Sequence, residues 1–167
     1  MAVVALPAAA VDNPSGLPLP RYVSLKSSRI NVRKGPGSDY PIAWIYQRSG
    51  LPVEVIKEFE LWRQIRDSEG ATGWILHSLL SGRRTALLAP WDAQPAAATG
   101  AGRDVVADIA VHGDASVQSA VLAIAEPGTL AEVGSCDTQW CRVVVGGEDG
   151  YVQQKSLWGV YPDETIK

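Results

Sequence analysis

The sequence predicts an all-β chain built as two small barrels in tandem, and three observations carry that reading. Turn-forming residues are abundant, with 16 Gly and 11 Pro among 167 residues, which favours many short strands over long helices. The apolar residues come in short runs rich in β-formers and bounded by Gly, Pro, Asp and Ser. One pattern also occurs twice. Gly50 precedes LPVEV, Trp62 opens WRQIR 12 residues after that glycine, Gly73-Trp74-Ile75 follows and HSLLSG closes the unit. Gly128 likewise precedes TLAEV, Trp140 opens WCRVV at the same spacing of 12, Gly150-Tyr151-Val152 follows and QQKSLWG closes. Self-similarity at a fixed offset marks a duplicated unit.

In the first unit the expected strands are residues 22–25, 29–33, 42–46, 52–58, 62–66, 72–76 and 84–88. Turns are expected at Gly35-Pro36-Gly37, Ser49-Gly50 and Asp67-Ser68-Glu69-Gly70. His77 to Ser81 is too short for an independent helix, so a single 3₁₀ turn is expected before the last strand. Rolling such strands into a barrel removes exposed edges, which matters in a unit this small. Residues 89–102, APWDAQPAAATGAG, have the composition of a linker. The expected division is a tail at 1–20, a first barrel at 21–90, a linker at 91–103, a divergent second barrel at 104–163 and an end at 164–167.

The stretch RINVRKGPGSDYPIAWI, residues 29–45, concentrates polar and aromatic side chains around one turn. Gly35 and Gly37 are expected to supply backbone angles forbidden to other residues, with Pro36 fixing the bend. Asn31 is expected to bond local backbone. This stretch, the Gly-to-Trp spacing, DSEGATGWILHSLLSG and the closing LWGVYPDE resemble the bacterial SH3-like domains, often called SH3b, in their tandem periplasmic or secreted form. The resemblance covers about residues 21–163 and is specific in the first copy. In the second, Ile109-Ala110-Val111-His112-Gly113-Asp114-Ala115 stands against Asn31 to Gly37 and keeps only the glycine, a departure that touches ligand binding more than fold. The resemblance implies two SH3-like barrels that bind cell-wall peptides or accompany hydrolases.

Strand parity narrows the side chains available for binding. If Ile65 fills the barrel, Trp62 points outward, and Trp140 does the same opposite Cys141, Val143 and Val145. Ile42, Trp44 and Tyr46 share a face, so at least one of those aromatics belongs to the core. Tyr40 and Trp62 lead the expected ligand-binding set ahead of Trp44, with Arg33, Arg66 and Trp74 completing it. An Arg beside aromatics suits a carboxylate such as one on a peptidoglycan stem. The competing arrangement has Trp62 or Trp140 covered by the linker or by the other copy.

Residues 21–84 hold 11 Lys or Arg against 6 Asp or Glu, whereas residues 85–167 hold 4 against 11. That asymmetry suits docking of the halves, attraction of an anionic ligand by the first, or two solvated faces with no partner. A periplasmic protein partner held by the acidic second barrel is the alternative to a wall ligand. Cys136 and Cys141 in CDTQWC fit a cross-hairpin disulfide, two free thiols, or, without C-x-x-C spacing, a redox pair. His77 and His112 are isolated, so no metal site is expected, and no cofactor motif occurs. Cys141 with His112 is the one conceivable nucleophile and base, a poor pair on an inward strand face, so no enzyme activity is expected. Nucleic acid is not an expected partner of this net acidic chain, and no apolar run reaches about 20 residues, so no transmembrane segment is expected. The start, MAVVALPAAAVDNPSG, is similar to the end of a secretory signal peptide with cleavage near Ala10, without its positive leading segment; a disordered Ala-rich tail is the alternative. The expected location is therefore periplasmic or secreted.

Overall fold

The computed structural model describes residues 13–92 and 108–167. Residues 1–12 of the signal-like start, with the expected cleavage point near Ala10, and nearly all of the expected linker lie outside these residues. The strands of the first unit are β1 (Arg21–Leu25), β2 (Ile30–Arg33), β3 (Ile42–Tyr46), β4 (Pro52–Phe59), β5 (Trp62–Arg66), β6 (Thr72–Leu76) and β7 (Leu80–Ser81). They form one sheet in the order β3-β2-β6-β5-β4-β1-β7. A 3₁₀ turn over His77–Leu79 precedes β7, as expected from the sequence. Alternation sends Leu25, Ile30, Val32, Val55, Ile65 and Ile75 into one core. Burial of each such side chain contributes roughly 1.5–3 kcal/mol, against about 0–1 kcal/mol for a surface ion pair, so the core dominates the stability of the barrel.

The second unit contains β8 (Thr85–Leu88), β9 (Ile109–His112), β10 (Val121–Ala125), β11 (Leu130–Asp137), β12 (Trp140–Val145), β13 (Glu148–Gln153), β14 (Leu157–Trp158) and β15 (Thr165–Ile166). Its order, β10-β9-β13-β12-β11-β8-β14, reproduces the first sheet strand for strand, and β15 adds to β11. The whole is all-β, two SH3-like barrels in tandem.

One strand changes owner relative to the sequence reading. Residues 84–88 were expected to close the first unit, yet β8 pairs with β11 and β14 in the second sheet. Its hydrogen bonds copy those of β1: the amide of Leu25 donates to Leu51 O and that of Leu88 to Thr129 O, while Gly50 donates to Leu25 O and Gly128 to Leu88 O. The first strand of the second barrel thus precedes the Ala/Pro-rich stretch, which joins β8 to β9 inside one barrel. The physical reason is pairing: Thr85–Leu88 finds its ladder partners only in β11 and β14. We propose accordingly that the units divide near residues 82–84.

Two devices hold the long hairpins. In the first barrel Glu58 stands directly across from Arg63, both buried, and Arg21 joins them at 2.8 Å from Glu58 Oε1. Ser15 closes this barrel end, its amide and hydroxyl donating to the Glu58 carboxylate at 2.9 and 2.6 Å. In the second barrel the same cross-strand place holds Cys136 and Cys141, joined as a disulfide. The barrels contact each other directly. Tyr161 donates its hydroxyl to Glu54 at 2.9 Å, Thr85 donates to Gly50 O at 2.6 Å, and Tyr22 packs edge-on against Trp158 at 5.1 Å. Among the described residues no helix is long and apolar enough to cross a membrane.

Candidate ligand-binding face

Val32, Ile65 and Ile75 point into the core, so Arg33, Gln64 and Trp74 take the outer face of β2, β5 and β6. The ladders set them in one row: Arg33 stands across from Ile42 on one side and Trp74 on the other, and Trp74 stands across from Gln64. Directly opposed side chains on one face are contact neighbours. Gly73, next to Trp74, lets the strands cross closely, since a Cβ there would lie 2.3 Å from Val32 Cγ1. Arg33 also reaches into the loop, where its guanidinium donates to Tyr40 O at 2.8 Å. Tyr40 is 48% exposed. The row therefore offers an aromatic face, a cation and an apolar edge together, a set suited to a peptide carrying a carboxylate.

The loop reaches this shape by a route other than the expected one. Neither Gly35 nor Gly37 adopts a left-handed backbone. Their need is space: a Cβ at Gly35 would fall 2.4 Å from the Tyr40 ring, and one at Gly37 would fall 3.3 Å from it. The exposed Asn31 makes no side-chain hydrogen bond among the described residues; Arg33 does the bracing assigned to it, with Lys34 N donating to Pro41 O.

Of the expected binding residues, Arg33, Tyr40 and Trp74 are brought together by these contacts, and three are not. Trp44 packs against the first core and lies edge-on to Tyr46 at 5.9 Å. Trp62 keeps the outward parity but is only 9% exposed, because Phe59 and Leu76 stand across from it on both neighbouring strands. Arg66 is bound to Glu54 through two nitrogens at 2.9 and 2.6 Å, so its charge is already neutralised between the barrels.

That junction is a group the sequence reading missed: Tyr22, Glu54, Arg66 and Tyr161. Burial, followed by the nearby Glu54 charge, pushes the Tyr22 hydroxyl up to about 12, and burial with the bond to Glu54 raises that of Tyr161. Burial favours protonation of Glu164 as well, but the Arg84 guanidinium and the Tyr161 amide outweigh it and hold the carboxyl below its ordinary value. The terminal aromatics of LWGVYPDE were the available signal.

The second barrel keeps the loop backbone and loses its side chains. The bonds Gly37 N to Gly35 O and Tyr40 N to Gly37 O recur as Ser116 N to Asp114 O and Ser119 N to Ser116 O. Tyr40 is thus replaced by Ser119, and without a ring to accommodate, Gly35 becomes Asp114 and Gly37 becomes Ser116. Arg33 across from Trp74 becomes His112 across from Tyr151, and Trp44 across from Val32 becomes Ala123 across from Val111. The kept residue is therefore the valine, and the register read from the sequence was displaced by one. His112 lies edge-on to Trp140 at 5.4 Å, and Cys141 is consumed by the disulfide. Among the described residues no cluster of His, Cys, Asp or Glu could hold a metal ion.

The bacterial SH3 domain pattern matches residues 26–82 and 105–159. The chain belongs to the bacterial SH3 domain family. Domains of this family are generally non-catalytic modules that bind cell-wall components or peptides, and the family together with a disulfide suits an extracytoplasmic protein. No curated protein matches the sequence. Among solved structures, NlpC2 from Trichomonas vaginalis is similar at 10% identity and a TM-score of 0.35, over 83% of this chain and 48% of that one. NlpC1 from the same organism gives 9% identity and 0.33 over 85% and 46%. An NlpC/P60 family protein from Bacillus cereus gives 12% identity and 0.33 over 82% and 55%. The chain spans about half the length of these solved proteins.

Proposed function

We propose that this chain is a non-catalytic, periplasmic or secreted binding module of the cell envelope, and that its first barrel recognises a cell-wall peptide such as a peptidoglycan stem. The observation that carries the reading is the outer row Ile42-Arg33-Trp74-Gln64 beside the exposed Tyr40. Arg33 offers its charge to a carboxylate while Tyr40 and Trp74 supply flat contact area at low entropic cost. The loss of Tyr40 and Arg33 at the matching second-barrel positions supports a specialised first barrel, since the fold survives without them. Pelleting of the full chain with purified peptidoglycan sacculi tests this: Trp74→Ala and Arg33→Ala should each weaken binding about tenfold or more with unchanged circular dichroism. Unaltered pelleting by both variants would remove the proposed face.

A protein partner docked on the second barrel is a second reading, favoured by one observation. The edge strand β10 exposes Val121, Leu122 and Ile124, the last at 60%, with no charged residue between Asp114 and Glu126. Uncharged apolar edges invite pairing with another strand. Ile124→Lys should abolish capture of such a partner and leave sacculus binding intact.

A further inference from the structure

A cavity of about 400 Å³ opens between the two barrels, away from the row just described. Its floor is Ser24 on β1, 2% exposed, and Ser81 on β7 stands directly across from it. The neighbours Val23 and Leu25 belong to the core, so parity turns Ser24 outward toward the second barrel. The same two positions in the second barrel hold Leu87 and Trp158, again directly opposed. The frame therefore accepts large apolar side chains there, and two hydroxyls in the first barrel are not demanded by folding.

The walls are set before any ligand arrives, because Thr85 is bonded to Gly50 O and Tyr161 to Glu54 across the junction. Two cations border the cavity. Lys26 makes only a long 3.4 Å contact to Ser78 O, and Arg83 pairs with Glu132 at 2.5 Å while both side chains remain mostly exposed. A solvent-screened pair of this kind is weakly held and readily exchanged. Leu130 supplies an apolar wall, and Glu132 lines the cavity beside Arg83. Pre-formed crevices between domains are favoured places for small ligands, and convergent polar groups there fix a ligand's orientation.

We propose that this inter-barrel cleft binds the C-terminal carboxylate of a short peptide with small apolar side chains, through Lys26, Arg83 and the Ser24 and Ser81 hydroxyls. The site is separate from the Arg33 and Trp74 row, so neither depends on the other. The test is a titration of the ¹⁵N-labelled full chain with alanylalanine, with its C-terminal amide and sodium acetate as controls. Saturable shifts of the Ser24, Gly50, Ser81 and Thr85 amides are expected with the free acid, at least tenfold weaker with the amide or acetate. Arg83→Ala, an exposed substitution, should weaken binding about tenfold, and Ser24→Leu, copying Leu87, should abolish it. The Arg83 variant decides the matter if Ser24→Leu does not fold. Shifts confined to the Tyr40 and Trp74 region, no saturation, equal binding of acetate alone, or indifference to Arg83→Ala would each overturn the proposal.

Discussion

The two barrels meet one structural demand in two ways. At the same cross-strand place in the long hairpin the first barrel buries Glu58 against Arg63, and the second buries Cys136 against Cys141. A buried carboxylate must be fully hydrogen-bonded and paired to be tolerated, which explains why Ser15 and Arg21 converge on Glu58. A disulfide makes no such demand, and there the chain adds β15 alongside Cys136 instead. The frame requires that the two strand ends be joined and leaves the chemistry of joining free. The matched tryptophans repeat the lesson: Phe59 and Leu76 cover Trp62, whereas Gln153 stands across from the half-exposed Trp140.

The widest gap between the copies should appear at those tryptophans. Trp62→Ala empties a buried site and should destabilise the first barrel by about 3–5 kcal/mol, with Trp140→Ala costing clearly less, both measured by urea denaturation. Equal losses would mean the two indoles are covered alike. Next, Cys136→Ser or reduction should cost about 2 kcal/mol, the chain-entropy value for so short a loop, and the loss should fall on the second barrel in residue-resolved hydrogen exchange. Tyr161→Phe removes the bond to Glu54 and should cost about 1–2 kcal/mol, read as a separation of the unfolding transitions of the barrels. The smallest effect is that of pH. Burial alone would raise the Glu58 carboxyl, but the Ser15 donors, Arg21 and Arg63 outweigh it and hold it below its ordinary 4.5. A depressed carboxylate stabilises above its unfolded value and loses that contribution as pH falls through its folded one. Acid below about pH 4.5 should therefore weaken the first barrel, and Glu58→Gln should remove that part of its acid sensitivity.

Much of this was legible in the residues. The strand positions followed from alternation and turn chemistry, which act over a few residues, and the duplication followed from the repeated Gly-to-Trp spacing. The hairpin that brings Cys136 beside Cys141 was equally local, though their bonding was not. The glycines were located correctly and explained wrongly at Gly35 and Gly37, because the Tyr40 ring, five and three residues further on, fills the space a Cβ would need. In the expected binding set, parity gave the facing of Trp62 but could not give its cover.

What the sequence determined by itself is the repeating alternation of apolar and polar residues, and hence two β units of one design. Only the tertiary structure decided which sheet takes Thr85–Leu88, that Arg66 is spent on Glu54, and that hydroxyls line a cleft between the barrels. The physical reason is range. Alternation and turns are set by neighbours along the chain, whereas pairing, cover and charge neutralisation are set by residues brought together from far apart in it.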